Sequence, residues 1–185
     1  MGNDADRYRR FLDGDDNGLR EIIDIYYNGL TLYINGIVNN SSDTEDIVQE
    51  TFVTLAVKKP KFNGKCEFKT WLYTIARNSA YNFLKRHKSK FSDQSIEECI
   101  LLSDGTDIEN QYLQIERNIV LHKVMKELKP EYFQVLYLMY FENFDTVNIS
   151  KIMKKSKRQI GDLLYRAKKS LKSKLEKAGF QYEKF

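Results

Sequence analysis

"EFKTWLYTIARNSAYNFLKRHK" (Glu67–Lys88) is the stretch from which the rest of the chain can be read. At about 100° per residue, Phe68, Leu72, Ile75, Ala76, Ser79 and Phe83 fall within one stripe. A stripe about 100° wide is enough to seat a helix on a core. Arg77, Tyr81, Lys85 and Lys88 form a second stripe on the opposite side. The spacing predicts an amphipathic helix whose solvent face sets an aromatic ring among cations.

The same period runs through the neighbouring segments. Leu19, Ile22, Ile23, Tyr26, Leu30, Ile34, Ile37 and Val38 recur at helical spacing. "SSDTEDIVQETFVTLAVKK" (residues 41–59) opens with Ser42 and Glu45 three apart, the pattern of a capping box. Ile47, Val48, Phe52 and Leu55 give it a buried face, and Pro60 should end it. "PKFNGKCE" then turns at Asn63–Gly64. Helical patterns return in "IERNIVLHKVMKEL", "PEYFQVLYLMYFENF", "TVNISKIMKK" and "SKRQIGDLLYRAKKSLKSKLEKAGF". No convincing strand alternation occurs, so the fold class is all-α. Between the two groups, residues 91–111 are rich in Ser, Asp and Glu and lack periodicity. A structureless run of that length argues for a flexible acidic linker. The expected organisation is two small helical domains, 1–90 and 112–185, joined by 91–111, the second ending in a helix-turn-helix.

The net charge of +4 hides a strong division along the 185 residues. Residues 58–90 hold ten Lys/Arg against Glu67, and residues 151–177 hold eleven against Asp162 and Glu176. Residues 91–116 hold seven carboxylates and no Lys or Arg. Two basic blocks around an acidic spacer predict two polyanion-facing surfaces. Cys66 and Cys99 form no disulfide framework, the start "MGNDADRYRR" is polar, and the apolar run at 132–141 is too short to span a bilayer. These features predict a cytoplasmic protein with reduced thiols and no membrane insertion.

Catalytic chemistry is missing. His87 and His122 are scattered, and there is no phosphate-cradling loop, paired-His zinc motif or nucleophile elbow. Asp43, Glu45, Asp46 and Glu50 form the acidic start that any helix N-terminus favours, with no loop ligands beside them. Neither an enzyme nor a metal or cofactor site is expected.

In the helix-turn-helix, Ile149, Ile152 and Met153 should pack the first helix, and Ser156 should cap the second. Ile160, Leu163, Leu164 and Ala167 face inward. Lys157, Arg158, Gln159 and Asp162 occupy the outer N-terminal turns, where a recognition helix meets base edges. Arg166, Lys168, Lys169 and Lys172 suit phosphates. The first domain differs in kind. Phe62, Trp71, Tyr73 and Tyr81 mingle with Lys69, Arg77, Asn78, Asn82 and Lys85, and rings among cations suit unstacked bases. The pattern equally fits Trp71 and Tyr73 closing the core edge.

"DTEDIVQETF", "FKTWLYTIARNSAYNFLKRHK", "LKPEYFQVLYLMYFENF" and "ISKIMKKSKRQIGDLLYRAKKSL" occur in the order seen in bacterial sigma factors. The chain resembles a two-domain sigma factor of the extracytoplasmic-function type over nearly all of residues 7–178. The resemblance implies a non-enzymatic initiation subunit that binds core RNA polymerase and directs it to promoter DNA. Asp43, Asp46, Gln49, Glu50 and Val53 would dock on the polymerase. The turn at Phe62 and Asn63 with Lys69, Trp71, Tyr73, Arg77, Asn78, Tyr81, Asn82 and Lys85 would read and melt the minus-ten element. Ser156, Lys157, Arg158, Gln159, Asp162, Arg166 and Lys169 would read the minus-thirty-five element, and the linker would thread toward the RNA exit path. An anti-sigma factor, often membrane-bound in this family, is implied as a further partner. Ser150, Lys154 and Asn148 depart from the family pattern around the helix-turn-helix. The competing reading is a stand-alone helix-turn-helix regulator whose first domain binds an effector or dimerises.

Overall fold

The computed structural model describes residues 4–87, 121 and 124–177, and every regular element among them is helical. The segment read as a linker lies outside the described residues. Helix α1 (Asp4–Leu12) turns its Tyr8 and Phe11 inward. It crosses α2 (Asp16–Val38) at Gly18, where a Cβ would collide with the Arg7 carbonyl, so only glycine permits this approach. The buried face of α2 runs through Ile22, Tyr26, Leu30, Ile34, Ile37 and Val38 as its periodicity predicts, with Tyr33 added and Leu19 and Ile23 only half-buried.

Helix α3 (Ser41–Val53) is capped by Asn40, whose Oδ1 accepts from the Asp43 amide at 2.9 Å. The Ser42–Glu45 capping box is therefore not the one used. Asn39 adopts φ 58 to end α2, which leaves Asn40 extended and placed to cap the next helix. The last turn of α3 loosens into a π-helical turn (Thr54–Lys58) and stops at Lys59, before Pro60. Helix α4 is Phe68–His87.

Pro130 opens α5 (Pro130–Tyr140) at a position where its missing N–H costs nothing. Helices α6 (Thr146–Met153) and α7 (Lys157–Lys177) form the expected helix-turn-helix. Its turn is a Schellman motif, with the Lys155 amide on Ser150 O at 3.0 Å and the Lys154 amide on Lys151 O at 3.4 Å. Lys154 takes φ 54 there. Ser156 and Gln159 then close a reciprocal box: Gln159 N donates to Ser156 Oγ at 3.2 Å, and Ser156 N to Gln159 Oε1 at 2.8 Å. Asp145 caps α6 through the Asn148 amide, and the Ser150 hydroxyl donates to Val147 O. The departures from the family pattern thus leave the motif intact.

The two helical groups are in direct contact. Helix α5 lies on α2 and α6 lies on α4, joining both sets of buried side chains into one core. Phe133 sits over Gly36, where an added Cβ would strike its ring. Tyr137 stacks on Tyr33 at 6.0 Å and donates its hydroxyl to Gly29 O at 3.2 Å. Phe144 meets Tyr73 edge-on at 5.2 Å.

The left-handed conformation costs an L-residue about 1–2 kcal/mol, partly offset by glycine's extra entropy of about 0.5–1 kcal/mol. Lys154→Gly should therefore raise stability by up to about 1 kcal/mol, read as a higher thermal midpoint. An unchanged or lower midpoint would contradict the strain assigned to this turn.

Candidate polymerase and nucleic-acid interfaces

Three surfaces carry the residues singled out in the sequence. On α3, Asp46, Gln49, Glu50 and Val53 are all exposed and fall at helical spacing on one face. Asp43 is half-buried at the head of that face. Val57, 76% exposed on the π-helical turn, extends the stripe and was not read from the sequence. Its signal was an apolar residue out of phase with Phe52 and Leu55. Glu50 makes only a loose pair with Arg86 at 3.9 Å.

The second surface departs from expectation. Phe62 and Trp71 are half-buried in a ring cluster with Tyr8 and Phe68, at centroid distances of 5.3–5.6 Å. The Tyr8 hydroxyl reaches Pro60 O at 2.9 Å and fixes the turn before α4. Asn63, Asn82 and Lys85 are exposed, and Asn78 is half-buried. Asn63 Oδ1 accepts from the Lys65 amide at 3.1 Å, which shapes the turn.

Arg77 and Tyr73, however, do not face solvent. Arg77 is 8% exposed and Tyr73 is fully buried. Helices α5 and α6 cover a flank of α4 that the period of one helix cannot report. The Arg77 Nε donates to Gln134 Oε1 at 2.9 Å, and its guanidinium lies 4.4 Å from the centre of the Tyr81 ring. The Tyr81 hydroxyl accepts from Gln134 Nε2 at 3.1 Å. Lys69 Nζ binds Glu142 twice, at 2.8 Å to Oε2 and 2.9 Å to the carbonyl, and lies 4.9 Å from the centre of the Phe144 ring. The structure brings Lys69, Tyr73, Arg77 and Tyr81 together against the second domain, with Tyr73 and Arg77 buried, Lys69 half-buried and Tyr81 exposed as the sequence predicts.

On the third surface Ser156, Lys157, Arg158, Gln159, Asp162, Arg166 and Lys169 are all exposed. Gln159 spends its carbonyl oxygen on the cap, which leaves its amide nitrogen for any reading role. Tyr165, 72% exposed, joins Arg158, Asp162 and Lys169 in one stripe. It too was missed, although an aromatic out of phase with Ile160, Leu163 and Ala167 was visible in the sequence.

Two family descriptions match the chain: "Sigma-70 region 2" over residues 22–90 and "Sigma-70, region 4" over residues 119–171. The chain belongs to the sigma-70 family. It is a sigma factor of the extracytoplasmic-function type. The ECF RNA polymerase sigma factor SigW of Bacillus subtilis is 23% identical over 177 residues, covering 91% of this chain and 95% of SigW. The ECF sigma factor SigM of the same organism is 26% identical over 155 residues, covering 83% and 92%. The fold matches that of CnrH in complex with the cytosolic domain of CnrY, with TM-score 0.67 and 15% identity over 95% of this chain and 98% of that one. It also matches RpoE of Bartonella quintana in complex with the anti-sigma factor NepR, with TM-score 0.67 and 18% identity over 85% and 96%. This sigma factor is accordingly a transcription initiation subunit and not an enzyme: it binds core RNA polymerase and directs it to promoters. A stand-alone regulator is not favoured, since the family match includes region 2. Among the described residues no helix is long and apolar enough to cross a membrane, and no cluster could hold a metal ion.

Burial raises the pKa of tyrosines throughout this core. It pushes Tyr8 up to about 12. It lifts Tyr26, Tyr33, Tyr73 and Tyr137 as well, with the Asp4 carboxylate adding to Tyr26 and Glu142 adding to Tyr73 and Tyr137. Because the folded values lie above the ordinary 10.0, the stability these groups contribute is complete below that pH and is lost as pH rises past it. An alkaline titration should show these tyrosines ionising together with loss of helical circular dichroism. Ionisation of every tyrosine at the ordinary pH with helix content intact would contradict their burial.

Proposed function

We propose that the three surfaces divide initiation among them in the cytoplasm. The exposed stripe of α3 docks on a basic face of the polymerase largest subunit. The turn at Phe62 and Asn63 with α4 captures bases leaving the minus-ten element. Helix α7 enters the major groove of the minus-thirty-five element, with Arg158 and Asp162 at base edges and Arg166 and Lys169 on phosphates. The observation that carries this reading is the α3 stripe. An exposed acidic and apolar face on the same chain as two basic faces has no use in a protein that binds DNA alone.

Energetics support the need for that partner. Opening about a dozen base pairs at about 1.4 kcal/mol per step costs roughly 15 kcal/mol. Capturing one or two bases returns about 1–3 kcal/mol each. Region 2 can nucleate melting, and the polymerase must supply the remainder. The two complexes of like fold also support an anti-sigma factor as the partner that holds this protein inactive.

Reversing Asp46 and Glu50 to Lys should abolish co-elution with core RNA polymerase while leaving the circular dichroism unchanged. Undiminished co-elution would overturn the docking assignment. Arg158→Ala should flatten discrimination among upstream-element sequences in a competition binding assay, with a loss of about 1–3 kcal/mol at the base it reads. An unchanged ranking of those sequences would remove Arg158 from the reading face.

A further inference from the structure

We infer that helix α1 sets the turn before α4 for its work on the minus-ten element, with Tyr8 as the positioning residue. The inference rests on the base capture assigned to that turn. Helix α1 (Asp4–Leu12) stands outside residues 22–90, which match sigma-70 region 2, yet it supplies anchors to the turn. Among the described residues, no backbone–backbone hydrogen bond holds residues 60–66. Their course is left to side chains and to water.

Tyr8 is buried and donates its hydroxyl to Pro60 O at 2.9 Å. Its ring lies 5.5 Å from Phe68 and 5.4 Å from Trp71, which fixes the hydroxyl against the start of α4. Phe11 carries Lys59, whose Nζ is 4.8 Å from the centre of the ring. Lys59 takes φ 43 where the π-helical turn ends, and the Pro60 ring sets the next φ. Holding the Pro60 carbonyl therefore fixes the direction in which the chain leaves toward Phe62 and Asn63. Beyond it, Phe62 packs on Trp71 at 5.3 Å, Asn63 Oδ1 accepts from the Lys65 amide, and Gly64 takes φ 70. These contacts shape the turn around Phe62, whereas Tyr8 and Phe11 fix where it begins. Helix α1 is itself held on α2: Glu21 pairs with Arg7 at 2.8 Å and Arg10 at 2.6 Å, and the Tyr26 hydroxyl donates to Asp4 at 2.5 Å. A binding group ordered before its ligand arrives gives up less freedom on binding. The anchor thus acts on capture at the turn and not on the duplex contacts of α7.

The test is selection from a randomised double-stranded DNA library by the full chain bound to core RNA polymerase, with sequencing of the retained DNA. The unaltered chain should enrich two blocks, the minus-thirty-five and minus-ten elements. Tyr8→Phe keeps the ring and removes only the hydroxyl. It should lower enrichment in the minus-ten block by about two- to tenfold, the worth of one hydrogen bond. The upstream block and co-elution with core polymerase should stay as they were. Phe11→Leu removes the ring that carries Lys59 and should act in the same direction. The double variant Phe62→Ala, Asn63→Ala alters the turn itself and serves as the reference. If the double variant flattens the minus-ten block and both α1 variants leave it intact, the positioning role is rejected while capture at the turn stands. If the double variant leaves that block intact, capture at this turn falls, and the inference falls with it. Equal losses in both blocks from Tyr8→Phe would also reject positioning, since they report damage to the whole fold. Should Tyr8→Phe lose its helical circular dichroism, Phe11→Leu decides by the same criteria.

Discussion

Gln134 lies fully buried with its whole hydrogen-bonding capacity in use. Its Oε1 accepts from Arg77 Nε at 2.9 Å and from the Tyr33 hydroxyl at 3.4 Å. Its Nε2 donates to the Tyr81 hydroxyl and to Pro130 O, each at 3.1 Å. Three of these partners belong to region 2 and one to the helix that carries the amide. The relative placement of the two domains is thereby specified by a polar group that tolerates few other arrangements. Around it Phe133, Tyr137 and Phe144 supply apolar area, which would hold many registers almost equally well. The amide selects among them.

Much of this fold could be read from helical period and punctuation, because both are local. The buried residues of α2, the stop before Pro60 and the Ser156 cap follow from spacing and from residues adjacent in the chain. The choice of Asn40 over Ser42 as a cap was less legible, since either residue type serves and the deciding factor was the left-handed Asn39 beside it. What period could not report was a second burial face on α4. Arg77 and Gln134 are 57 residues apart in sequence, and no pattern within either helix announces the other. Arginine also reads as a solvent residue by default. The α7 face was legible almost completely because none of the described residues covers it, and Tyr165 lies on that face beside Arg158, Asp162 and Lys169.

The distribution of exposure orders the functional surfaces. Asp46, Gln49, Glu50 and Val53 on α3, and Arg158, Asp162 and Lys169 on α7, are open to solvent in the same arrangement that hides Tyr73 and Arg77 and half-covers Lys69. The faces proposed for polymerase docking and upstream-element reading are therefore open as they stand, whereas Tyr73 and Arg77 on α4 are covered. The cluster of half-buried Phe62 and Trp71 with buried Phe68 and Tyr8 is outside that constraint, since its rings pack within region 2. It holds the entry to α4 in place whether or not region 4 is present.

Separation has a cost that identifies where its driving force must come from. Phe133, Tyr137 and Phe144 are each at most 4% exposed, and returning a side chain of this size to water costs about 1.5–3 kcal/mol when fully exposed. Shifting an equilibrium from 1:99 to 99:1 takes about 5.5 kcal/mol of differential affinity, so a single captured base at about 1–3 kcal/mol does not suffice. A surface that binds only the separated domains does. On the roles proposed for α3 and α7, core polymerase on one domain and promoter DNA on the other would hold two points of one chain at a separation fixed by the promoter.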